Sequence, residues 1–415
     1  MISVEEARKN ILEATQNFGV EEIPFLKSVG RILKEEILAD RDFPPFNRVA
    51  MDGVAIEYAA FKKGQRSFKI EGIQAAGSEQ LSMQKSNNCI EVMTGAVLPN
   101  NCNTVIRYED ITIENEIATI QIDAIKEGQN VHTKGRDGKV GALLIKENTQ
   151  ISAAEIGVFA SVGASFVKVA KQPKVLIIST GDELVGVAEI PLAHQIRRSN
   201  VFTLVSLLER LHIPSETAHI TDDKPILKSK IESYLKAYDV LLFSGAVSKG
   251  KFDFLPEVFE ELGVEKRFHK VAQRPGKPFW FGSAASFFVN EQNVYRNEKE
   301  NKKNTIVFGF PGNPISTFVN CLVYFYPWYY KSVGLEIQEE TAILGEDVNF
   351  KPNLVYFLQV KLASENGNLV AFPIKGNGSG DLASLVKTDA FIQLPNDKIE
   401  FKKGEVYPII NYRSF

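Results

Sequence analysis

The hydrophobic pattern changes character near residue 174. Beyond it, short apolar runs alternate with amphipathic helical stretches: Val175–Ile178, a helix over Asn200–Leu211, Ser215–Thr221, a helix from Pro225 to Lys236, then Val240–Phe243. The last run is too short for a helix and bare of charge, which predicts a strand buried on both faces of a parallel sheet. A further helical pattern (Leu255, Val258, Phe259, Leu262) closes at Gly263, and Ile306–Phe308 leads into a final helix. Strand and helix alternating at this spacing predict a doubly wound, mostly parallel α/β sheet.

Upstream the pattern is different. Ser3 and Glu6 form a capping box ahead of Val4, Ala7, Ile11 and Ala14 at helical spacing. Val29, Ile32, Leu33 and Ile37 predict a second helix over Ser28–Leu38. Two prolines and the Asp52-Gly53 pair then forbid helix over 42–53. Alternating β-branched segments at 67–75, 89–93 and 104–122 predict a small β module, followed by a Gly-rich loop from Gly128 to Gly141. Ser152 and Glu155 open another helix that stops at Gly163. Residues 290–304 read as a charged hairpin, and the tail returns to strands over 355–362, 369–374, 391–394 and 406–410. Four units follow: a helical base (1–45 and 140–172), a β-rich insert (46–139), the α/β domain (173–335) and a barrel-like C-terminal β domain (336–415).

With 415 residues and a net charge of −3, the chain has no general basic surface for nucleic acid or anionic membrane, so any anion site must be local. Cys89, Cys102 and Cys321 are scattered without metal-ligand spacing, which fits a reducing cytoplasm. The first residues carry acidic charge and no apolar core of a signal peptide. The longest greasy segment, 318–330, falls short of the about 20 residues that a membrane span needs.

The predicted strands end in chemistry. Ser179-Thr180-Gly181-Asp182-Glu183 follows the first strand, Asp222-Asp223 the second, and Ser244-Gly245-Ala246-Val247-Ser248 with Asp253 the third. Ligands bind beyond the carboxyl ends of such strands. Converging carboxylates repel unless a cation joins them, and hard oxygen donors favour Mg²⁺ alongside substrate phosphates. Each acid alone is more often a helix N-cap or a solvated loop charge, whereas three at corresponding strand ends are harder to dismiss. Downstream, Lys270, Arg274 and Lys277 lie in an extended, proline-stiffened segment, where alternation would aim Lys270 and Arg274 at one face to hold an oxyanion. Pro311-Gly312-Asn313-Pro314 precedes a helix and offers orphan amides as a second anion-receptive point. No Walker or G-x-G-x-x-G pattern is present, and the five histidines are dispersed. The residues alone therefore indicate a Mg²⁺-assisted enzyme acting on an anionic, phosphorylated ligand.

In order along the chain, PPFNRVAMDGVA (44–55), MTGA (93–96), GRDG (135–138), STGDEL (179–184), SGAVSKGKFD (244–253), RPGKPFWFG (274–282), FPGNP (310–314) and GNGSGDLASL (376–385) resemble the molybdopterin molybdenumtransferase (MoeA) family, related to the gephyrin C-terminal region. The resemblance implies insertion of molybdate into adenylylated molybdopterin with Mg²⁺ and release of AMP. It places Asp52, Thr94, Asp137, Glu183, Asp222 and Asp253 among the catalytic positions. Glu183, Asp222 and Asp253 would serve Mg²⁺ and the nucleotide phosphate, with Lys270 and Arg274 on the oxyanion and Pro311 and Pro314 at functional positions. It also implies a homodimer in which Asp52 and Thr94 act across the interface, and a molybdopterin adenylyltransferase as pathway partner. The chain departs from the family at Ala246 for a glycine, Arg274 for a lysine, Arg198 for an acid and Val54 for a tyrosine. A stand-alone adenylyltransferase would lack the N-terminal modules and the β tail. The remaining alternative is a non-catalytic gephyrin-like scaffold or molybdopterin-binding module.

Overall fold

The computed structural model describes residues 1–245, 254–285 and 304–413. The hairpin expected at 290–304 falls almost wholly outside them. The chain opens with helix α1 (Val4–Leu12), whose capping box forms as expected: the Glu6 amide donates to Ser3 Oγ and the Ser3 amide to Glu6 Oε2. Its apolar face, Val4, Ala7 and Ile11, is buried in the core of the α/β domain, where the Trp328 indole donates to Ala14 O at 3.0 Å. The second capping box, Ser152 with Glu155, starts α2 (Ala153–Ser161).

The helix expected over 28–38 does not form. Gly30 takes a left-handed φ of +81°, and the chain runs on extended into a short strand, Ile37–Leu38, beside Leu143–Ile145. Ile32, Leu33 and Ile37 are buried as the spacing suggests, but their neighbours bond to other strands: the Leu33 amide to Thr149 O and the Ala170 amide to Ile32 O. Long-range pairing satisfies this backbone, so the helical spacing of its apolar residues decides nothing.

The β insert is a six-stranded sheet in the order Thr104–Arg107, Gly53–Ile56, Asn88–Val92, Ser67–Gln74, Ile117–Ile120, Ile111–Glu114. Gly53 is required where strands meet closely, because a β-carbon there would stand 1.9 Å from Ile106 O.

The α/β domain is built from β1 (Val175–Thr180), α3 (Ser199–Glu209), β2 (Ser215–Ile220), α4 (Lys224–Ala237), β3 (Val240–Ser244), α5 (Leu255–Glu261), β4 (Glu265–His269), β5 (Trp280–Ala285), β6 (Asn304–Phe310), α6 (Pro314–Asn320) and α7 (Tyr326–Val333). The strand order is β2-β1-β3-β6-β5-β4, with the first four parallel, β5 antiparallel to β6, and β4 antiparallel to β5 at the far edge. Alternate residues of the parallel strands enter opposite cores. Val175, Ile177, Val240, Leu242, Ile306 and Phe308 meet α3 through Val201, Leu204 and Leu208. Leu176, Ile178, Leu241, Phe243 and Val307 meet Leu227, Ile231, Val258 and Phe259 of α4 and α5. Each such side chain contributes about 1.5–3 kcal/mol when fully buried, so both helical layers are needed to hold the sheet. A π turn, Cys321–Phe325, joins α6 to α7, and Gly334 at φ +82° ends the helix.

In the C-terminal domain Val355–Glu365 pairs with both Asn368–Pro373 and Ala390–Leu394, and the ring closes through Glu340–Leu344 and Val406–Asn411. This closed ring is the expected barrel-like arrangement, without open edges. Among the described residues no helix is long and apolar enough to cross a membrane.

Candidate active site

The register of the parallel strands builds the site. Ser179 of β1 is level with Ser244 of β3, which is level with Phe310 of β6, and Thr180 is level with Ile220. The loops that follow all leave from one sheet edge and enclose a cavity of about 540 Å³. Ser179, Thr180, Gly181, Glu183, Asp222, Ser244, Gly245, Pro311, Gly312, Asn313 and Pro314 line it. The strand-end loops expected to converge do so, with Asp182 beside them, where its Oδ1 accepts from the Asp222 amide at 3.2 Å. Asp223 instead caps α4, accepting from the Ile226 amide at 2.9 Å. Asp253, Ser248 and Ala246 lie outside the described residues.

Backbone geometry at two glycines shapes the cavity. Gly181 has φ +130°, and a β-carbon there would lie 2.4 Å from Glu183 Oε2. The Glu183 carboxylate thus folds back over a position that only glycine leaves open. Gly245 has φ +108° and its amide donates to Phe310 O at 3.1 Å, tying the β3 and β6 loops together.

Asn200 and His219 carry no sequence signal of their place here. Asn200, in the first turn of α3, donates from Nδ2 to Ser244 Oγ at 2.9 Å and to Gly312 O at 2.7 Å. It thereby ties the start of α3 to the end of β3 and to the loop after β6, segments distant in sequence. His219 Nδ1 lies 3.0 Å from Ser179 Oγ and 3.2 Å from Ser179 O. Burial, then the Arg198 guanidinium, holds the His219 pKa below its ordinary value. Arg197, Arg198, Ser199, Pro278 and Gly380 also line the cavity.

The basic segment is not one strand. β4 ends at His269, Lys270 turns to a φ of +78°, and Gln273–Arg274 pairs in parallel with Val355–Tyr356 of the C-terminal barrel. Lys270 and Arg274 therefore do not share a strand face as alternation suggests. The fully buried Gln273 fixes this path, donating to Pro275 O at 2.9 Å and Asn320 Oδ1 at 2.7 Å while accepting from Tyr324 Oη. Arg274 lines a second cavity of about 170 Å³ with Tyr356, Gly376, Gly378 and Ser379. Lys270 and Lys277 line neither cavity. The 376–380 loop joins the two spaces: Gly380 lines the first, and Ser379 Oγ accepts from Asn313 Nδ2 at 3.0 Å.

The remaining predicted residues sit on or beside the β insert. The Thr94 amide donates to Asp52 Oδ1 at 2.6 Å, and this bond is the main reason the Asp52 carboxyl lies below its ordinary pKa. Asp137 Oδ1 lies 2.9 Å from His132 Nε2, whose Nδ1 is 3.2 Å from Arg48 Nη2. None of these three predicted residues lines the strand-edge cavity.

Among the described residues no three His, Cys, Asp or Glu side chains form a metal cluster. Two carboxylates, Glu183 and Asp222, do line one cavity, and such an oxygen donor set suits Mg²⁺, which takes one or two carboxylates and fills its shell with water and substrate phosphate. Thiol ligation is excluded from the site: all three cysteines are buried elsewhere, and burial pushes Cys89 and Cys102 up to about 12.

A mixed α/β domain with its cavity at the strand ends, flanked by a split N-terminal unit and a closed β barrel, defines a multi-domain α/β protein with a ligand cavity at the sheet edge. Residues 2–163 match the MoeA N-terminal region (domain I and II), 176–328 a probable molybdopterin binding domain, and 341–412 the MoeA C-terminal region (domain IV). A protein named molybdopterin molybdenumtransferase from Synechocystis sp. is 39% identical over 414 residues, covering 98% of this chain and 99% of its own. One of the same name from Staphylococcus epidermidis is 29% identical over 419 residues, covering 99% and 95%. A crystal structure of a molybdopterin biosynthesis MoeA protein from Pyrococcus horikoshii superposes with a TM-score of 0.79 at 29% identity, covering all of both chains. The chain belongs to the MoeA family of molybdopterin molybdenumtransferases, enzymes of molybdenum cofactor biosynthesis.

Proposed function

We propose that this chain inserts molybdenum from molybdate into adenylylated molybdopterin and releases AMP. The observation that carries the reading is the single strand-edge cavity into which Ser179–Gly181, Glu183, Asp222, Ser244–Gly245 and Pro311–Pro314 converge within a chain of this family. Water adds at phosphorus of the pyrophosphate link, the P–O bond to the adenylate breaks, and the proton is lost to solvent. The two dithiolene sulfurs of the substrate form Mo–S bonds as one Mo–O bond of molybdate breaks, its oxide leaving as water with the two thiol protons and molybdenum staying hexavalent, in keeping with a site without cysteine.

Glu183 and Asp222, with Asp253, would hold Mg²⁺, which would neutralise phosphate charge and polarise a phosphoryl oxygen. Asn200 keeps the β3 and β6 loops in place around the substrate, and small residues at 244–245 and 312 let backbone approach it closely. Arg274, beside loop 376–380, would meet the oxyanion end of the substrate from the second cavity.

Asp52 and Thr94 contribute in this reading from the partner copy of a homodimer, as the family resemblance implies, with Asp137 among the catalytic positions. The adenylylated substrate must come from a molybdopterin adenylyltransferase, which makes that enzyme the pathway partner. Buried, reduced thiols fit a cytoplasmic setting. The direct test is binding of adenylylated molybdopterin to the purified chain, followed by equilibrium dialysis. Saturable binding that weakens in Asp222→Asn is expected, and no binding to the native chain would reject the reading.

A further inference from the structure

The strand-edge cavity contains a cation without a hydrogen-bond or ion-pair partner among the described residues. Arg198 lines it, half-buried, and its Nε is shielded from solvent yet meets no acceptor. Among the described residues it forms no ion pair. Glu189, the nearby acid, uses Oε1 to accept from the Gly186 amide at 2.8 Å, and Arg197 donates its Nε to Glu189 O at 3.1 Å. Burying part of a guanidinium without an acceptor is costly, and native structures tolerate it where a ligand completes the set.

Two further donors stand beside it. Thr180 is only 4% exposed, lines the same cavity, and its Oγ1 has no partner. Arg198 is also the N-cap residue of α3, an eleven-residue helix, and gives it no side-chain cap. The first-turn amides of α3 therefore remain available toward the cavity, at the end of the helix that favours negative charge. Lys270 and Arg274, the cations expected to hold the oxyanion, do not line this space.

We propose that Arg198 is an oxyanion-binding residue of this cavity, holding a tetrahedral group in its planar fork while the Thr180 hydroxyl and the α3 amides complete the shell. The ligand class is a multiply charged tetrahedral oxyanion, either the phosphoryl group of a bound nucleotide or a free tetraoxo anion. A guanidinium suits it because its donors lie in one plane and can bond two oxygens at once. The proposal rests on the functional reading above for the location of the substrate, but its test requires no molybdopterin.

The test is calorimetric titration of the full chain with AMP, with inorganic phosphate and with molybdate, in native protein, Arg198→Gln, Arg198→Lys, Thr180→Val and the exposed-charge control Lys146→Gln. Native protein should bind at least one probe, Arg198→Gln should weaken it by roughly tenfold or more, and Arg198→Lys should fall between, keeping charge without the fork. Lys146→Gln should match native protein. Loss confined to AMP identifies a phosphoryl group as the ligand, and loss for free molybdate or phosphate identifies a tetraoxo anion; both support the proposal. Absence of binding by native protein, or affinity within twofold between native and Arg198→Gln, overturns it. Near-ultraviolet circular dichroism checks folding, and Arg198→Lys serves if the glutamine variant fails to fold. If Arg198→Gln loses anion binding while native protein releases no AMP from adenylylated molybdopterin, this inference stands and the functional reading falls.

Discussion

Glu183 lies folded back over Gly181, so close that a β-carbon on Gly181 would stand 2.4 Å from Glu183 Oε2. Gly181 is also at φ +130°, a conformation that side-chain-bearing residues seldom adopt. The carboxylate proposed to serve Mg²⁺ is thus placed by the absence of a neighbouring side chain. Gly181→Ala should displace Glu183 and add strain of about 1–3 kcal/mol. The expected outcome is a steep fall in turnover with a folded protein, read by steady-state rate beside a thermal melt. Native turnover in this variant would show that the Glu183 position does not matter.

His219 connects the sheet interior to the site. Its pKa is held low by burial and by Arg198, so folding favours the neutral ring. A group with a lowered basic pKa binds fewer protons folded than unfolded, and its stability contribution is full above the ordinary value of about 6.5 and shrinks as pH falls below it. Histidine NMR should find His219 titrating below that ordinary value, and Arg198→Gln should move it upward. An unchanged His219 titration in the variant would contradict the placement of Arg198.

Asp52 is held below the ordinary carboxyl range by the Thr94 amide. Its charged form is favoured in the folded state, so this contribution is present above the unfolded pKa and disappears as pH falls through the lowered folded one. Thr94→Ala keeps the amide and should preserve most of the depression, measured by carboxyl NMR. A return of Asp52 to its ordinary value in Thr94→Ala would assign the effect to the threonine hydroxyl instead.

If the β insert acts on the partner copy, Asp52→Asn and Glu183→Gln subunits should each be inactive alone and regain activity when unfolded, mixed and refolded. Each mixed dimer would then carry one site with both wild-type residues. No recovery, with mixed dimers present by mass spectrometry, would place Asp52 in the same chain's site or outside catalysis.

Gln273 ties Asn320, Tyr324 and the backbone of the Arg274 segment together in a fully buried cluster. Gln273→Leu would leave those polar groups unsatisfied, each at a cost of roughly 1–3 kcal/mol. Denaturant unfolding should show the loss, and preserved stability would contradict the network.

Much of this architecture is legible along the chain. The runs Val175–Thr180 and Val240–Ser244 announce buried strands because both faces are apolar, and the two capping boxes mark α1 and α2 because their chemistry is local. Strand-end loops could be assembled because parallel register forces Ser179, Ser244 and Phe310 to one level. What stayed hidden depends on distant partners. Residues 28–38 share helical spacing with a buried extended segment, and only bonds to Thr149 and to strand Phe166–Ala170 distinguish them. The path of Lys270–Arg274 is set by pairing with Val355 and Tyr356, and Asn200 acquires its role from Ser244 and Gly312. Such contacts have no counterpart in local pattern.

Molybdenum transfer is proposed to take place in the strand-edge cavity. The most direct measurement incubates native protein and Glu183→Gln with adenylylated molybdopterin, molybdate and Mg²⁺, and quantifies AMP and molybdenum cofactor together. Native protein should give equal molar yields of the two products, and Glu183→Gln should turn over more slowly by roughly a hundredfold, the upper end of the loss expected when a group supporting a metal site is removed. No AMP from native protein, or equal rates for both, would contradict that proposal.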